Sequence, residues 1–397
     1  MNIVGQLIRS TTLTNPAGIG DTQIQVADSS GFPTAPFMTS IDDEVVEVIK
    51  KLANDKELLS SVAIYTMRWL YRPLPGLART IVRLSLLRKI SKITSVEAVQ
   101  NEVAKYLFKL IRKSTDGFTY SGLKELDLSK PSLFISNHRD IVLDPALVNY
   151  ALFDIGAKTV EIAVGDNLLT KEWISDLMRI NKSFIVKRSE KTKRAMLTAS
   201  KNLSAYIHHA LTDKQQPIWI AQKEGRAKDG IDKTNSALIS MLLLNKPKPM
   251  AIKDYLDELN IVPVSIAYQY DPCDQDKAKE LATIETEGKY EKSEHEDINS
   301  ITKGLMGYKG KIHLTFGTPI AGDFADSKEI AAAIDQQIIG NYQLFDSNHV
   351  AYERVKDAQS KVNKNCLIEK RLAELNETQK KWLLAMYANP VVAKETL

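Results

Sequence analysis

Cysteine is nearly missing from this chain. Its two thiols, Cys273 and Cys366, stand far apart, so they form neither a disulfide framework nor a redox or metal motif, and a reducing compartment is expected. No apolar run approaches the roughly 20 residues that span a bilayer, so no transmembrane helix is expected. The opening MNIVGQLIRSTTLTNPAG lacks the apolar core of a secretory signal. A dominant charge is missing as well. The 53 Lys and Arg against 49 Asp and Glu leave +4, too little by itself to indicate nucleic acid. What remains is 397 residues, 44% hydrophobic and 26% charged, the composition of a globular protein with a sizeable core.

Residues 1–40 differ in texture from the rest. GIGDTQIQVADSSGFPTAPF is rich in Gly, Pro, Ser and Thr, with a short alternating strand at Gln23 to Val26, and reads as an extension of unknown role. Helical patterns fill 41–114, beginning with a Ser40 cap and acids in the first turn. Within them, residues 61–95 hold seven Arg or Lys and no Asp or Glu, interleaved with Tyr65, Trp69 and Tyr71. A third helix, SVEAVQNEVAKYLFKLIRKST, leads to Gly117.

From 115 to about 345, short apolar strands alternate with helices. Strands are expected at 132–135, 160–164, 184–186, 217–221, 261–268 and 311–316. Helices are expected from Asp144 and over 171–179 and 192–211. This alternation points to an α/β fold with a mainly parallel sheet covered on both faces. The acidic run ETEGKYEKSEHED (285–297) reads as a solvated insertion, and residues 346–397 as a helical tail ending in an amphipathic helix around 370–387.

Ligands of open α/β sheets bind beyond the carboxyl ends of the strands, and three predicted strand ends carry chemistry. LFISNHRDIVLDP places Asn137, His138, Arg139 and Asp140 after one strand, with Asp144 close behind. A neutral imidazole there can take a proton from an alcohol if a carboxylate orients its other nitrogen. Asp140 and Asp144 are both candidates, and a histidine that merely caps a helix is the plain alternative. His-Arg-Asp also opens the kinase catalytic loop, but Pro145 replaces the required Asn and no Gly-rich loop precedes it. The other two ends carry cations: Lys187 and Arg188 after SFIV, then Lys223, Glu224, Gly225 and Arg226 after PIWIAQ. Such groups converging on one crevice suit a phosphate.

These blocks resemble the glycerolipid acyltransferase family over roughly residues 115–320. SNHRDIVLDP is similar to its His-Asp block, KSFIVKR to its second block, IAQKEGRAKDG to its Glu-Gly-Arg block, and IVPVSIAY to its fourth. The resemblance implies transfer of a fatty acyl group from acyl-CoA or acyl-carrier protein to a hydroxyl of a glycerophosphate or lysophospholipid. It implies His138 as general base and no metal or cofactor beyond the acyl donor. Asn137, Arg139, Lys187, Arg188, Lys223, Glu224, Gly225 and Arg226 would bind substrate.

Two departures stand out. The family spaces His and Asp by four residues, whereas five separate His138 from Asp144. Either the turn bulges so that Asp144 still reaches the ring, the preferred reading, or Asp140 orients it. Gln222-Lys223 also replace the usual Phe-Pro, which bears on the acceptor. An acceptor of another class, such as an amino-lipid, and an idle lipid-binding protein are the alternatives. The basic stretch 61–95 is expected to meet anionic lipid, as a peripheral protein on the cytoplasmic face of the membrane, with no nucleic-acid partner. A packed helix with snorkelling cations is the competing explanation.

Overall fold

The computed structural model describes residues 45–90, 93, 95–166, 172–188, 190–293, 296–357 and 366–397. The extension 1–40, its strand at 23–26 and the Ser40 cap lie outside these residues. The chain opens with helices α1 (Val45–Leu52), α2 (Lys56–Thr66), α3 (Arg68–Tyr71), α4 (Pro75–Ile90) and α5 (Val96–Ser114). Asp55 caps α2 by accepting from the Leu58 amide at 2.8 Å, and Ser95 caps α5 through the Ala98 amide at 3.2 Å. Each satisfies an amide that the helix itself leaves open.

The α/β part follows as β1 (Gly117–Ser121), β2 (Leu133–Ser136), α6 (Leu143–Asp154), β3 (Glu161–Gly165), α7 (Glu172–Ile180), β4 (Ser183–Val186), α8 (Lys193–Thr212) and β5 (Ile218–Ala221). Next come α9 (Ser236–Leu242), α10 (Ile252–Leu259), β6 (Ile261–Tyr268), α11 (Asp274–Glu287), α12 (Glu296–Met306) and β7 (Lys311–Phe316). The chain closes with α13 (Ser327–Gly340), α14 (Asp346–Lys356), α15 (Leu367–Leu372) and α16 (Glu377–Glu395). The helix expected around 370–387 is therefore two. Asn376 breaks it, capping α16 in a reciprocal box with Gln379.

The strands form one seven-stranded sheet in the order β1-β7-β6-β2-β5-β3-β4. Five strands run parallel. β7 is antiparallel to β6 and parallel to β1, so this edge pair runs against the rest. Pro263 marks where the β6–β7 ladder stops: its carbonyl accepts from Gly317 at 2.8 Å, and it has no N–H to return.

Alternation along the central strands feeds two cores. Phe134, Trp219, Val262 and Val264 face a cluster shared with α1, α2, α4, α5 and α6. Leu133, Ile135, Ile218, Ile220 and Ile261 face the opposite cluster under α8, α9, α10 and α13. The helices before residue 115 thus share one apolar core with the sheet. A third cluster joins α11 to α14, α15 and α16.

Candidate active site

Strand β2 delivers the chain to His138 at the carboxyl edge of the sheet, and a tight turn follows. His138 Nδ1 lies 2.8 Å from Asp144 Oδ2. The same oxygen accepts from the amides of Arg139 at 2.6 Å and Asp140 at 2.9 Å, while Asp144 Oδ1 accepts from the Tyr268 hydroxyl at 2.7 Å. Asp144 is fully buried. An oxygen already receiving two amide hydrogens has none to give, so Nδ1 is the donor and Nε2 carries the lone pair. Burial, with the Asp144 and Asp140 carboxylates beside it, pushes the Tyr268 phenol well above its ordinary pKa, so it remains a donor. The ring of Trp219 stands edge-on to the imidazole, centroids 5.7 Å apart, with its Nε1 tied to Ser136 Oγ at 3.0 Å.

Asp144 therefore reaches the ring across the six-residue step. Asp140 does other work: its Oδ1 accepts from the amides of Val142 at 3.0 Å and Leu143 at 2.7 Å, capping the start of α6. Burial, and then Asp144, raise its pKa. Its Oδ2 lies where a Cβ on Gly304 would stand, leaving room only for glycine.

His138 opens onto a cleft of about 800 Å³. Lys187, Arg188, Lys223, Glu224, Gly225 and Arg226 line it together with the histidine. Sequence reasoning placed all seven at strand ends, and the fold brings them into one cleft. Arg188 reaches Glu224 at 3.3 Å, and its amide donates to Asp166 at 3.1 Å, joining the ends of β3, β4 and β5. Lys223 turns back onto the Ile231 carbonyl at 3.1 Å. Gly225 has φ +75, a left-handed conformation that favours glycine. Ala227 donates to the His138 carbonyl at 2.8 Å, so the cationic loop and the histidine turn are one built unit.

Two expected substrate-binding residues are corrected. Asn137 is buried and stitches β2 to β6, donating to the Ile266 carbonyl at 3.0 Å and accepting from its amide at 2.7 Å. Arg139 is buried away from the cleft, 2.6 Å from Asp232. Burial opposes its charge, yet Asp232, Tyr342 and Asp271 hold its pKa above the ordinary value. Asp232 and Tyr268 went unread in sequence because each matters only through a partner distant along the chain. The described residues of the insertion 285–297 are mostly exposed, as expected, and among them Lys292 and Asp297 stand on the cleft wall, paired at 2.9 Å.

A smaller apolar cavity of about 120 Å³ lies beside the cleft. Val103 and Leu107 of α5 and Pro145 and Tyr150 of α6 line it, and it shares Ile141, Ile162 and Val164 with the cleft.

Residues 117–247 match the sequence model of the family described as Acyltransferase. That span, about a third of the chain, is similar to an acyltransferase domain. It contains the histidine turn, the cationic loops and Asp232, while Tyr268 and the helices beyond lie outside it. No curated protein matches the chain. A crystal structure of the 1-acyl-sn-glycerophosphate acyltransferase PlsC from Thermotoga maritima is similar at 14% identity and a TM-score of 0.39. The similarity covers 79% of this chain and all of that one. Among the described residues, no helix is long and apolar enough to cross a membrane.

Proposed function

We propose that this acyltransferase moves a fatty acyl group from a thioester, acyl-CoA or acyl-carrier protein, to a hydroxyl of a glycerophosphate or lysophospholipid. The observation that carries the reading is the His138–Asp144 pair opening onto a cleft walled by Lys187, Arg188 and Arg226. His138 Nε2 takes the proton of the acceptor hydroxyl, whose oxygen attacks the thioester carbonyl. The tetrahedral intermediate collapses, the C–S bond breaks, and the proton on His138 passes to the leaving thiolate. Asp144 holds the imidazole in the required tautomer and stabilises the imidazolium that forms. The cations hold the acceptor phosphate, and the adjoining apolar cavity takes part of the acyl chain. Holding two substrates in register supplies much of the rate gain.

Thiol release from acyl-CoA and from acyl-carrier protein, measured over acceptors that include glycerol 3-phosphate, lysophosphatidic acid and an amino-lipid, tests the reading. Turnover with a phosphorylated glyceride is expected. His138→Ala should lower it by about 10²- to 10⁴-fold with the fold intact. Turnover only with the amino-lipid, or a variant keeping more than a tenth of the activity, contradicts the proposal.

The acceptor is proposed to be met at a lipid surface. Leu74, just before α4, and Leu77, Ile81 and Leu84 on it form an exposed stripe next to the buried Ala78 and Val82, and Trp69 of α3 is 77% exposed. A helix apolar on two faces explains why its sequence shows no single stripe. Of the cations, Arg83 turns back to Asn54 at 2.9 Å, whereas Arg68 and Arg72 stay exposed. Headgroup attraction and insertion of the stripe would act together. Leu77→Gln with Ile81→Gln and Leu84→Gln should abolish sedimentation with anionic vesicles, and unchanged sedimentation would move the contact elsewhere.

A further inference from the structure

Arg139 sits between the two groups that matter most in the turn, and it is held at three points. Its amide donates to the Asp144 oxygen that also receives His138 Nδ1, and its guanidinium meets Asp232. Its carbonyl accepts from Lys277 Nζ at 2.8 Å. Lys277 belongs to α11, is 2% exposed, and pairs with Asp271. It lies outside the span that matches the family and has no contact with the cleft.

What holds Lys277 comes from the end of the chain. The Asp271 amide donates to the Tyr387 hydroxyl at 2.9 Å, and its carbonyl accepts from Arg371 at 2.8 Å. Arg371 also pairs with Asp274, and Tyr387 donates to Asp274 at 2.7 Å. Asn389 donates to the Asp229 carbonyl at 2.7 Å, in the loop that carries Arg226. Helices α15 and α16 therefore brace the histidine turn through Lys277 and the cationic loop directly.

We infer that Lys277 is a positioning residue for the reaction, fixing the Arg139 peptide so that His138 stays on Asp144, and that α15 and α16 are part of the active-site scaffold. This rests on the acyl-transfer reading. A buried ammonium is a costly way to hold a carbonyl, since it must be desolvated and paired. Here both its partners are in place, and the carbonyl it fixes lies one residue from the base. Displacement of a catalytic group by about 1 Å can cost on the order of 10²-fold in rate.

The test separates position from charge. Lys277→Met alone strands Asp271 and can unfold the chain, so Asp271→Asn is added, which keeps an oxygen for the Cys273 amide (2.8 Å). The double variant should fold, with kcat about tenfold or more below wild type and KM for both substrates within about twofold. The acidic limb of its pH–kcat/KM profile should shift, because His138 no longer holds its place on Asp144. The downfield proton resonance of His138 Nδ1–H should broaden or move. A folded double variant with wild-type kcat, pH profile and proton resonance overturns the inference. A fall in kcat accompanied by an equal rise in KM, with the proton resonance unmoved, also overturns it, since that is general loosening of the cleft. If wild type transfers to no acceptor, the acyl-transfer reading fails and takes this inference with it. If wild type turns over and the double variant matches it, only the role of Lys277 fails.

Discussion

The floor and the mouth of the cleft are built on different principles. At the floor, Asp144 is fully buried, and its two oxygens receive His138, two amides and a phenol. At the mouth, Glu224 is 70% exposed and its contact with Arg188 is 3.3 Å long, while Arg226 makes no ion pair among the described residues. The floor is ordered before any substrate arrives. The mouth keeps its cations solvated and able to adjust. Reacting atoms tolerate little misplacement, whereas a phosphate can be met by side chains that move.

That contrast can be broken at the floor first. Asp144→Asn should cost about 10²- to 10⁴-fold in kcat, because an amide cannot fix the tautomer or balance the imidazolium. Asp140→Asn should cost far less, since asparagine caps a helix about as well as aspartate. Steady-state kinetics and thermal melts of both variants give the comparison, and a larger kcat loss at Asp140 would reverse the assignment of the two acids.

At the mouth the effects should be smaller and of another kind. Arg226→Ala should raise the KM for a phosphorylated acceptor about tenfold, the loss of one charge-assisted hydrogen bond, with kcat nearly unchanged. Arg188→Ala should raise it less, because the more exposed guanidinium is screened by water. A change confined to the KM of the acyl donor would reassign these cations to the donor phosphates. Smallest of all, Glu224→Gln should shift stability by less than about 1 kcal/mol and KM by about twofold or less. A large effect there would mean the mouth is as rigid as the floor.

The same contrast governs what could be read in the sequence. Strands β6 and β7 fall on the expected residues, and α14 starts at Asp346, where the helical tail was expected to begin. Their apolar runs and end signals are local. The cations of the mouth were legible for the same reason, as each follows directly on a strand. The floor was legible only in part. His138 and Asp144 lie within one turn of chain, but Arg139 looked like a ligand because its neutralising partner, Asp232, is 93 residues away. Nothing near Asn137 announces that its amide will bind the Ile266 backbone. The break between α15 and α16 was missed because the hydrophobic pattern continues across Asn376, where capping chemistry overrides it.

The bracing of the histidine turn by the chain's last helices has a consequence for biosynthesis. Arg139 and Lys277 are 138 residues apart, and Asp271 and Tyr387 a further 116. At roughly 5 to 20 residues per second on the ribosome, about ten to fifty seconds pass between the synthesis of His138 and the arrival of the groups that hold its turn. The exposed stripe of α4 leaves the ribosome well before either. A half-made chain thus carries the exposed stripe of α4 before the groups that hold the histidine turn have been made.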